Sequence, residues 1–336
     1  MPAAPTTPPP GPVQLLMDVD TGIDDSLALL YVLARPDVDL VGIVSTAGNV
    51  PRAQVAANNL AWLDLGQAPA VEVALGAPGP LVAPLMTTED THGPQGIGYA
   101  VLPPSARPRS GRSGAELWAA AARAHPGELV GLVTGPLTNL ALALRIEPEL
   151  PWLLRRLVIM GGAFNHPGNT TPVSEWNVAV DPEAAHEVFT AFGIDGGVRP
   201  VVCPLDLTER IAMTPDHLAE LATVAGPSAL LDAVADAVRY YFEFHRDHAQ
   251  GYLAHLHDPY AATVALDPAW ATTRSATVEV ELVGTVTRGM TVADWTGMWA
   301  RPENAEIAVD TDPDAWFAHL IATIGGWARG LASAAR

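Results

Sequence analysis

The sequence contains no lysine, and all 18 of its basic residues are arginine. The absence of lysine excludes lysine Schiff-base chemistry and the phosphate-binding lysine of a P-loop. Acidic residues number 37, so the formal net charge at pH 7 is -19. Because nucleic-acid binding needs clustered basic residues that neutralise phosphates, the charge predicts a small neutral ligand and no nucleic-acid partner.

Cysteine is almost as scarce, since Cys203 is the single one in the chain. One thiol can form neither a disulfide framework nor a thiolate metal cluster, which is typical of a reducing cytoplasm. We therefore expect a cytoplasmic protein in which Cys203 is buried and structural. No apolar run reaches the roughly 18 residues of a membrane span, so we expect no membrane partner.

The chain begins with a segment rich in proline and threonine that lacks the basic start and apolar run of a signal peptide. We predict a disordered tail over residues 1–12 and a single domain over residues 13–336. No glycine- or serine-rich linker and no charge run divides this domain.

Short apolar runs alternate with longer segments of helical periodicity, which is typical of a mainly parallel sheet. The predicted fold class is α/β, with an open, mostly parallel, Rossmann-like sheet flanked by helices. The predicted strands cover residues 13–17, 40–44, 71–75, 129–133, 157–160, 198–202 and 277–286. The predicted helices cover residues 26–34, 53–65, 114–124, 137–146, 182–192 and 312–327, and Ser113 with Glu116 predicts a capping box.

Polar residues gather where the predicted strands end. Asp18, Asp20, Asp24 and Asp25 follow the first strand, Asn49 follows the second, and Thr134 follows the strand at 129–133. Ligands of open α/β sheets bind at this carboxyl edge. Capping of a helix explains Asp24 and Asp25 but not Asp18 and Asp20. Four carboxylates this close repel one another unless a cation lies between them, and oxygen ligands of this kind favour Ca²⁺.

The segment from Asp18 to Asp25, Asp-Val-Asp-Thr-Gly-Ile-Asp-Asp, resembles the amino-terminal signature of the inosine-uridine nucleoside hydrolase family. Further matching segments occur in the family's order. They are Ala47-Gly48-Asn49, Thr91-His92-Gly93, Thr134 to Asn139, Met160-Gly-Gly, Asn169, Glu175-Trp176-Asn177, Asp181 to Ala185, Pro204 to Thr208, and His257-Asp258-Pro259. Together they span most of the chain.

The resemblance implies hydrolysis of the N-glycosidic bond of a ribonucleoside by a water bound to Ca²⁺. It implies that Asp20 binds the metal and acts as general base, that Asn49 positions the water, and that the remaining metal ligands are Asp25, Asp258 and the backbone carbonyl of Thr134. The substrate is then neutral, in agreement with the acidic composition.

The resemblance also implies contacts with the rest of the substrate. The ribose hydroxyls would be held by Asp24, Asn169, Glu175 and Asn177, and Asp258 would also contact the substrate. His257 would give a proton to the leaving base, and His92 would line the base pocket. Met160 and Trp176 are either substrate contacts or core residues, and the same alternative holds for the aromatic residues of a helix at 240–245 that precedes a loop carrying His257.

Two alternatives remain open at this point. The pattern Asp-x-Asp-x-Thr after a strand also resembles the nucleophile motif of haloacid-dehalogenase-type phosphatases, although the basic residue that such enzymes place downstream is missing here. A nucleoside-binding protein without turnover would keep the same pocket. Gln95 stands where many family members have aspartate, and the preference for purine or pyrimidine is open. We expect a homodimer or homotetramer and a role in nucleoside salvage.

Overall fold

A computed structural model describes residues 11–334, so residues 1–10 of the predicted tail lie outside the described residues. The first half of this part alternates strands and helices. In chain order they are β1 (Val13–Val19), α1 (Ile23–Leu33), β2 (Val38–Ser45), α2 (Arg52–Leu65), β3 (Glu72–Leu75), α3 (Glu89–His92), α4 (Gly114–Ala124), β4 (Leu129–Val133), α5 (Thr138–Ile146), α6 (Leu150–Leu153) and β5 (Leu154–Met160).

The second half adds several short helices and an antiparallel region. In chain order its elements are α7 (Trp176–Val180), α8 (Pro182–Ala191), β6 (Val201–Cys203), α9 (Leu205–Thr208), β7 (Ala212–Met213), α10 (Pro215–Ala225), α11 (Ala229–Asp247), β8 (Ala254–His255), α12 (His257–Leu266), a 3₁₀ turn (Pro268–Trp270), β9 (Thr272–Val280), β10 (Thr291–Asp294), β11 (Ala305–Asp310) and α13 (Pro313–Ala334). None of the described helices is long and apolar enough to cross a membrane.

Nine strands form one sheet in the order β10-β9-β11-β6-β5-β4-β1-β2-β3. The pairs from β3 to β11 are parallel, whereas β9 runs antiparallel to both β11 and β10. The order β3-β2-β1-β4-β5-β6 is that of a Rossmann-type sheet, in which the chain reverses direction of winding between β1 and β4. The predicted fold class is therefore confirmed: the chain is a single α/β domain with a mostly parallel sheet.

Both faces of the sheet are covered by helices, which explains why its central strands are apolar throughout. All five residues of β4 are buried. One core lies against α1, α2, α11, α12 and α13 and contains Tyr31, Trp62 and Trp316. The other lies against α4, α5 and α8 and contains Trp118 and Phe192.

Most predicted elements lie where periodicity placed them. The helix over residues 114–124 is confirmed to the residue, and its capping box is present, since Ser113 Oγ accepts from Glu116 N at 3.3 Å and Glu116 Oε2 accepts from Ser113 N at 2.7 Å. The buried state expected for Cys203 is also confirmed. The strand predicted over 277–286 is wrong in its second half, because β9 ends at Val280 and a turn leads into β10.

We expected His257 to lie in a loop, but it is the first residue of α12. All ten residues of this helix are buried, so it has no polar face from which sequence periodicity could identify it. The consequence for the site is that Asp258 lies in the first turn of a helix, where the backbone N–H groups and the helix dipole favour a negative charge.

Candidate active site

The candidate site is a cavity of about 310 Å³ at the carboxyl ends of β1 and β4. This is the point where the strand order reverses, so the loops after the two strands diverge and leave a crevice. Asp20 follows β1 and Thr134 follows β4. The cavity is also lined from the opposite side by residues of α11, β8 and the start of α12.

An aspartate cluster forms the floor of this cavity. Carboxylate oxygens of Asp24, Asp25 and Asp258 lie within 4.8 Å of one another, and all three residues are buried. Asp20 adjoins them: its Oδ2 accepts from the backbone N–H of Asn49 at 2.9 Å. Its Oδ1 is buried without a hydrogen-bond partner among residues 11–334. Asn49 also donates from Nδ2 to Asp25 Oδ2 at 3.4 Å.

The electrostatics of the cluster are unfavourable in the protein alone. Burial and the charge of Asp25 raise the pKa of Asp24 to about 7, and the same two causes raise the pKa of Asp20 well above its usual value. For Asp258, burial and the neighbouring aspartates raise the pKa strongly. No arginine is among the described residues that line the cavity. A cation is therefore the group that would let these carboxylates stay ionised, and the oxygen donors fit a hard metal ion.

Asp25 caps α1 and lies in the aspartate cluster, so it can serve both as a helix cap and as a metal ligand. Its Oδ2 accepts from the N–H of Gly22 at 2.8 Å at the start of α1, which is the capping role considered from the sequence. Its Oδ1 accepts from the hydroxyl of Thr134 at 2.7 Å. The carbonyl of Thr134 accepts from Asn177 Nδ2 at 2.8 Å. These contacts join the ends of β1 and β4 to the start of α7.

Asp18 lies beneath the cluster. Its carboxylate accepts from Trp118 Nε1 at 2.7 Å, from Asn139 Nδ2 at 3.2 Å and from the hydroxyl of Thr46. Burial raises its pKa to about 6, and these three donors oppose the rise. Asp18 thus ties the end of β1 to the end of β2, to α4 and to α5, and it supports the cluster from below.

The residues assigned to the ribose surround one side of the cavity. Glu175 is buried and caps α7, since its carboxylate accepts from the N–H groups of Asn177 at 2.8 Å, Gly162 at 2.9 Å and Val178 at 3.1 Å. Asn177 Nδ2 also donates to the carbonyl of Met160 at 3.1 Å. Asn169 is exposed, and its Oδ1 accepts from the N–H of Trp176 at 2.9 Å. Five of the predicted residues line this side of the cavity, namely Met160, Asn169, Glu175, Trp176 and Asn177.

Histidines and aromatic rings form the other side. His257 is buried, and its Nδ1 lies 2.8 Å from the hydroxyl of Thr208. Because that hydroxyl donates to the carbonyl of Pro204, its oxygen accepts from His257, which assigns the proton of the neutral ring to Nδ1. His92 Nδ1 accepts from the N–H of Ile23 at 3.1 Å. Burial, with neighbouring histidines, lowers the pKa of both rings.

The structure brings all of the predicted site residues to one place: Asp25 lies in the aspartate cluster, and the others line the cavity. Gln95 is exposed and is not among the lining residues. Residues that the sequence analysis did not single out line it as well, namely Thr88, Gly168, Thr170, Glu209, Gln250 and His255. Of the aromatic helix, Tyr241, Phe244, His245 and His248 line the cavity, at the spacing of one helical face.

Comparisons with known proteins agree with this geometry. Residues 15–318 match the model of the inosine-uridine preferring nucleoside hydrolase family. The pyrimidine-specific ribonucleoside hydrolase RihA of Salmonella paratyphi C is 37% identical over 300 residues, which is 89% of this chain and 94% of the relative. The structure of a purine-preferring ribonucleoside hydrolase from Gardnerella vaginalis is 31% identical, with a TM-score of 0.86 over 94% of this chain and 99% of the relative. A plant nucleoside hydrolase is 27% identical, with a TM-score of 0.85 and the same coverage.

The chain belongs to the inosine-uridine preferring nucleoside hydrolase family. It is a hydrolase that cleaves the N-glycosidic bond of ribonucleosides. This membership removes the two alternatives that the sequence left open, namely a haloacid-dehalogenase-type phosphatase and a nucleoside-binding protein without turnover. The family is metal-dependent, and the aspartate cluster is where this chain offers ligands.

Proposed function

We propose that the enzyme acts with Ca²⁺ and that the ion is held by Asp20, Asp25, Asp258 and the carbonyl of Thr134. The observation that carries the proposal is the buried cluster of carboxylates with an unpartnered oxygen on Asp20. Carboxylate and carbonyl oxygens are hard ligands, and Ca²⁺ accepts six to eight of them in loose geometry. Asp24, whose carboxylate lies in the same cluster as those of Asp25 and Asp258, would lie next to the metal and could also contact the substrate.

A bound Ca²⁺ would supply Lewis-acid chemistry, because a cation lowers the pKa of a coordinated water and can accept the ribose hydroxyls as ligands. Asp20 takes the proton of the attacking water. Its Oδ2 is fixed by the N–H of Asn49, so Oδ1 is the atom left for this task. Asn49 positions the carboxylate and the water with it.

The ribose is held by the opposite wall. Asp24 lies at the cluster, and Glu175, Asn169 and Asn177 follow from the loop before α7 and its first turn. Because Glu175 is fixed by three backbone N–H groups, its carboxylate keeps one position while charge develops on the sugar ring. Ionised groups around the ring stabilise the oxocarbenium-like state of such a reaction.

His257 moves the proton that the departing base needs. Its Nδ1–H is donated to Thr208, so Nε2 is the nitrogen left for the base. Nε2 takes up a proton from solvent, which makes the ring an imidazolium, and passes that proton to the base nitrogen as the bond breaks. His92 and Trp176 lie at the sides of the space for the base. Met160 lies where that space meets the space for the ribose. The base departs neutral when it accepts this proton, and the water supplies the hydroxyl group that replaces it.

The test is a panel of ribonucleosides and matched 2′-deoxyribonucleosides, scored by release of reducing sugar with and without a calcium-selective chelator. We expect activity to disappear with the chelator, to return with added Ca²⁺, and to be poor for 2′-deoxyuridine compared with uridine. Full activity after verified metal removal would contradict the metal assignment. Equal turnover of uridine and 2′-deoxyuridine would contradict the ribose assignment.

Three further properties stay predictions beside this proposal. We propose a homodimer or homotetramer, a cytoplasmic location and a role in nucleoside salvage. Light scattering of the purified protein measures the first of these directly.

A further inference from the structure

The cavity holds one acidic residue that the reaction does not use. Among the lining residues, Asp20, Asp24, Asp258 and Glu175 belong to the metal and ribose end, whereas Glu209 follows α9. The Glu209 side chain is about one-third exposed, and His166 Nε2 lies 3.6 Å from its Oε2. Within residues 11–334 its carboxylate accepts no hydrogen bond. An acceptor is therefore free at this place in the cavity.

Two histidines, His257 and His255, separate Glu209 from the aspartate cluster. The line of side chains begins at Asp258 and passes to its neighbour His257. The ring of His255 is 5.6 Å from that of His257, and the backbone of Glu209 is close enough to the His255 ring to affect its pKa. The phenol of Tyr241, which also lines the cavity, is near both groups of acids: burial raises its pKa, and the charges of the aspartates and of Glu209 raise it further.

This end of the cavity is polar as well as aromatic. His255 Nδ1 is buried without a hydrogen-bond partner in the described part of the chain. The rings of His245 and His255 are 5.0 Å apart, and those of Tyr241 and His245 are 4.4 Å apart. Flat rings suit a nucleobase face, and unpaired polar atoms beyond them suit a polar base edge more than an apolar one.

The orientation of the substrate follows from the proposed function, on which this inference rests. If the ribose is held at the aspartate end and the glycosidic bond lies at His257, the base extends past His255 toward Glu209. The edge that reaches Glu209 is then the one opposite the glycosidic bond. In a pyrimidine this edge carries the C4 substituent, and in a purine it carries the C6 substituent.

We propose that Glu209 reads this edge and makes ribonucleosides with an amino-substituted base the preferred substrates. An ionised carboxylate only accepts hydrogen bonds, so it pairs with the amino group of cytosine or adenine. It repels the carbonyl oxygen that uracil or hypoxanthine presents at the same position. Cytidine is thereby favoured over uridine, and adenosine over inosine. Glu209 is a specificity-determining residue and takes no part in bond cleavage.

The test measures kcat/KM for cytidine and uridine, and for adenosine and inosine, in the wild type, Glu209→Gln and Glu209→Ala. The amide of Gln can donate to a carbonyl oxygen, so Glu209→Gln should lower the amino-to-oxo ratio by about 5- to 10-fold, partly by improving the oxo substrate. Glu209→Ala should lower the ratio without improving the oxo substrate. Glu220→Gln, on the exposed side of α10, is the matched control and should leave the ratio unchanged.

The inference is overturned if the ratio in both Glu209 variants stays within about twofold of the wild type in every pair that the enzyme hydrolyses. It is also overturned if the wild type prefers the oxo substrate and the variants keep that preference. Failure of the proposed function looks different, because the wild type would then keep its activity in the chelator or turn over 2′-deoxyribonucleosides equally well.

Discussion

Replacing Gly48 by alanine tests the position of Asp20 without removing any functional group. A Cβ built on Gly48 would overlap Oδ2 of Asp20 and lie 2.9 Å from its Cβ and from its Cγ. Carbon atoms in favourable contact lie about 3.5–4.0 Å apart, so the side chain must retreat by about 0.6–1 Å. Rotation of the carboxylate alone cannot relieve the overlap, because the Cβ and Cγ atoms are also too close.

The direction of retreat is restricted on the other side. A Cβ on Gly135 would lie 3.1 Å from the same two carbons of Asp20, which shows how closely the backbone after β4 approaches this side chain. Asp20 is thus held between Gly48 and Gly135, and its Oδ2 would lose the N–H of Asn49. A misplacement of about 1 Å in a catalytic site costs roughly 100-fold in rate. We expect Gly48→Ala to lower kcat/KM by about this factor.

The assay compares kcat/KM for one ribonucleoside, Ca²⁺ binding by calorimetry and the melting temperature. Gly326→Ala is the control, since its Cβ meets nothing within 4 Å and the residue lies inside α13. This control should keep full activity and gain about 0.5–1 kcal/mol of stability, because alanine is the better helix former. A Gly48→Ala enzyme that is folded and retains kcat/KM within about threefold would refute the role of Asp20.

Three further variants probe the support of the site, a buried histidine and the proton donor. Asp18→Asn should lower the free energy of unfolding by about 2 kcal/mol, because an amide NH₂ group replaces one of the two oxygens that accept from Trp118 and Asn139. Denaturant titrations measure this change, and the exposed Asp39→Asn is the control that should leave the free energy of unfolding unchanged. Burial lowers the pKa of His245 to about 4 from 6.5, so the unfolded chain binds the extra proton and stability falls as pH falls below about 6.5. From pH 7 to pH 5 the wild type should lose about 2 kcal/mol more than His245→Gln, and equal losses would contradict the burial of a neutral ring. His257→Ala should lower kcat for inosine by about 10²- to 10⁴-fold but spare p-nitrophenyl riboside, whose leaving group needs no proton; equal loss with both substrates would exclude His257 as the donor.

The parallel part of the fold was predictable because its signals are local. Buried strands of parallel sheets are short and apolar on both faces, and the strand at 129–133 was placed to the residue. The helices α9 and α12 were not predictable in the same way. The first has only four residues and the second is buried on all sides, so neither has the single apolar stripe that periodicity detects.

The aspartate end of the site was predictable for a different reason. Charged residues at the end of an apolar strand conflict with local burial, and that conflict marks a functional position in the sequence. Asp18 and Asp20 carry this signal at the end of β1. Glu209 carries none, because it follows a four-residue helix among ordinary polar and apolar residues. Only the folded chain brings it to the same cavity as Asp20.

Relatives of this chain differ in the bases that their names give as substrates. A pyrimidine-specific hydrolase and a purine-preferring one both match this chain over most of their lengths, at 37% and 31% identity. The chemistry at the ribose is common to both kinds of substrate, so the aspartate cluster cannot distinguish their bases. Selectivity must instead come from side chains around the base, which α11, β8 and the residue after α9 supply here. Family membership therefore determines the bond that is cleaved, whereas we propose that the choice of base depends on Glu209, His255 and the ring-bearing face of α11.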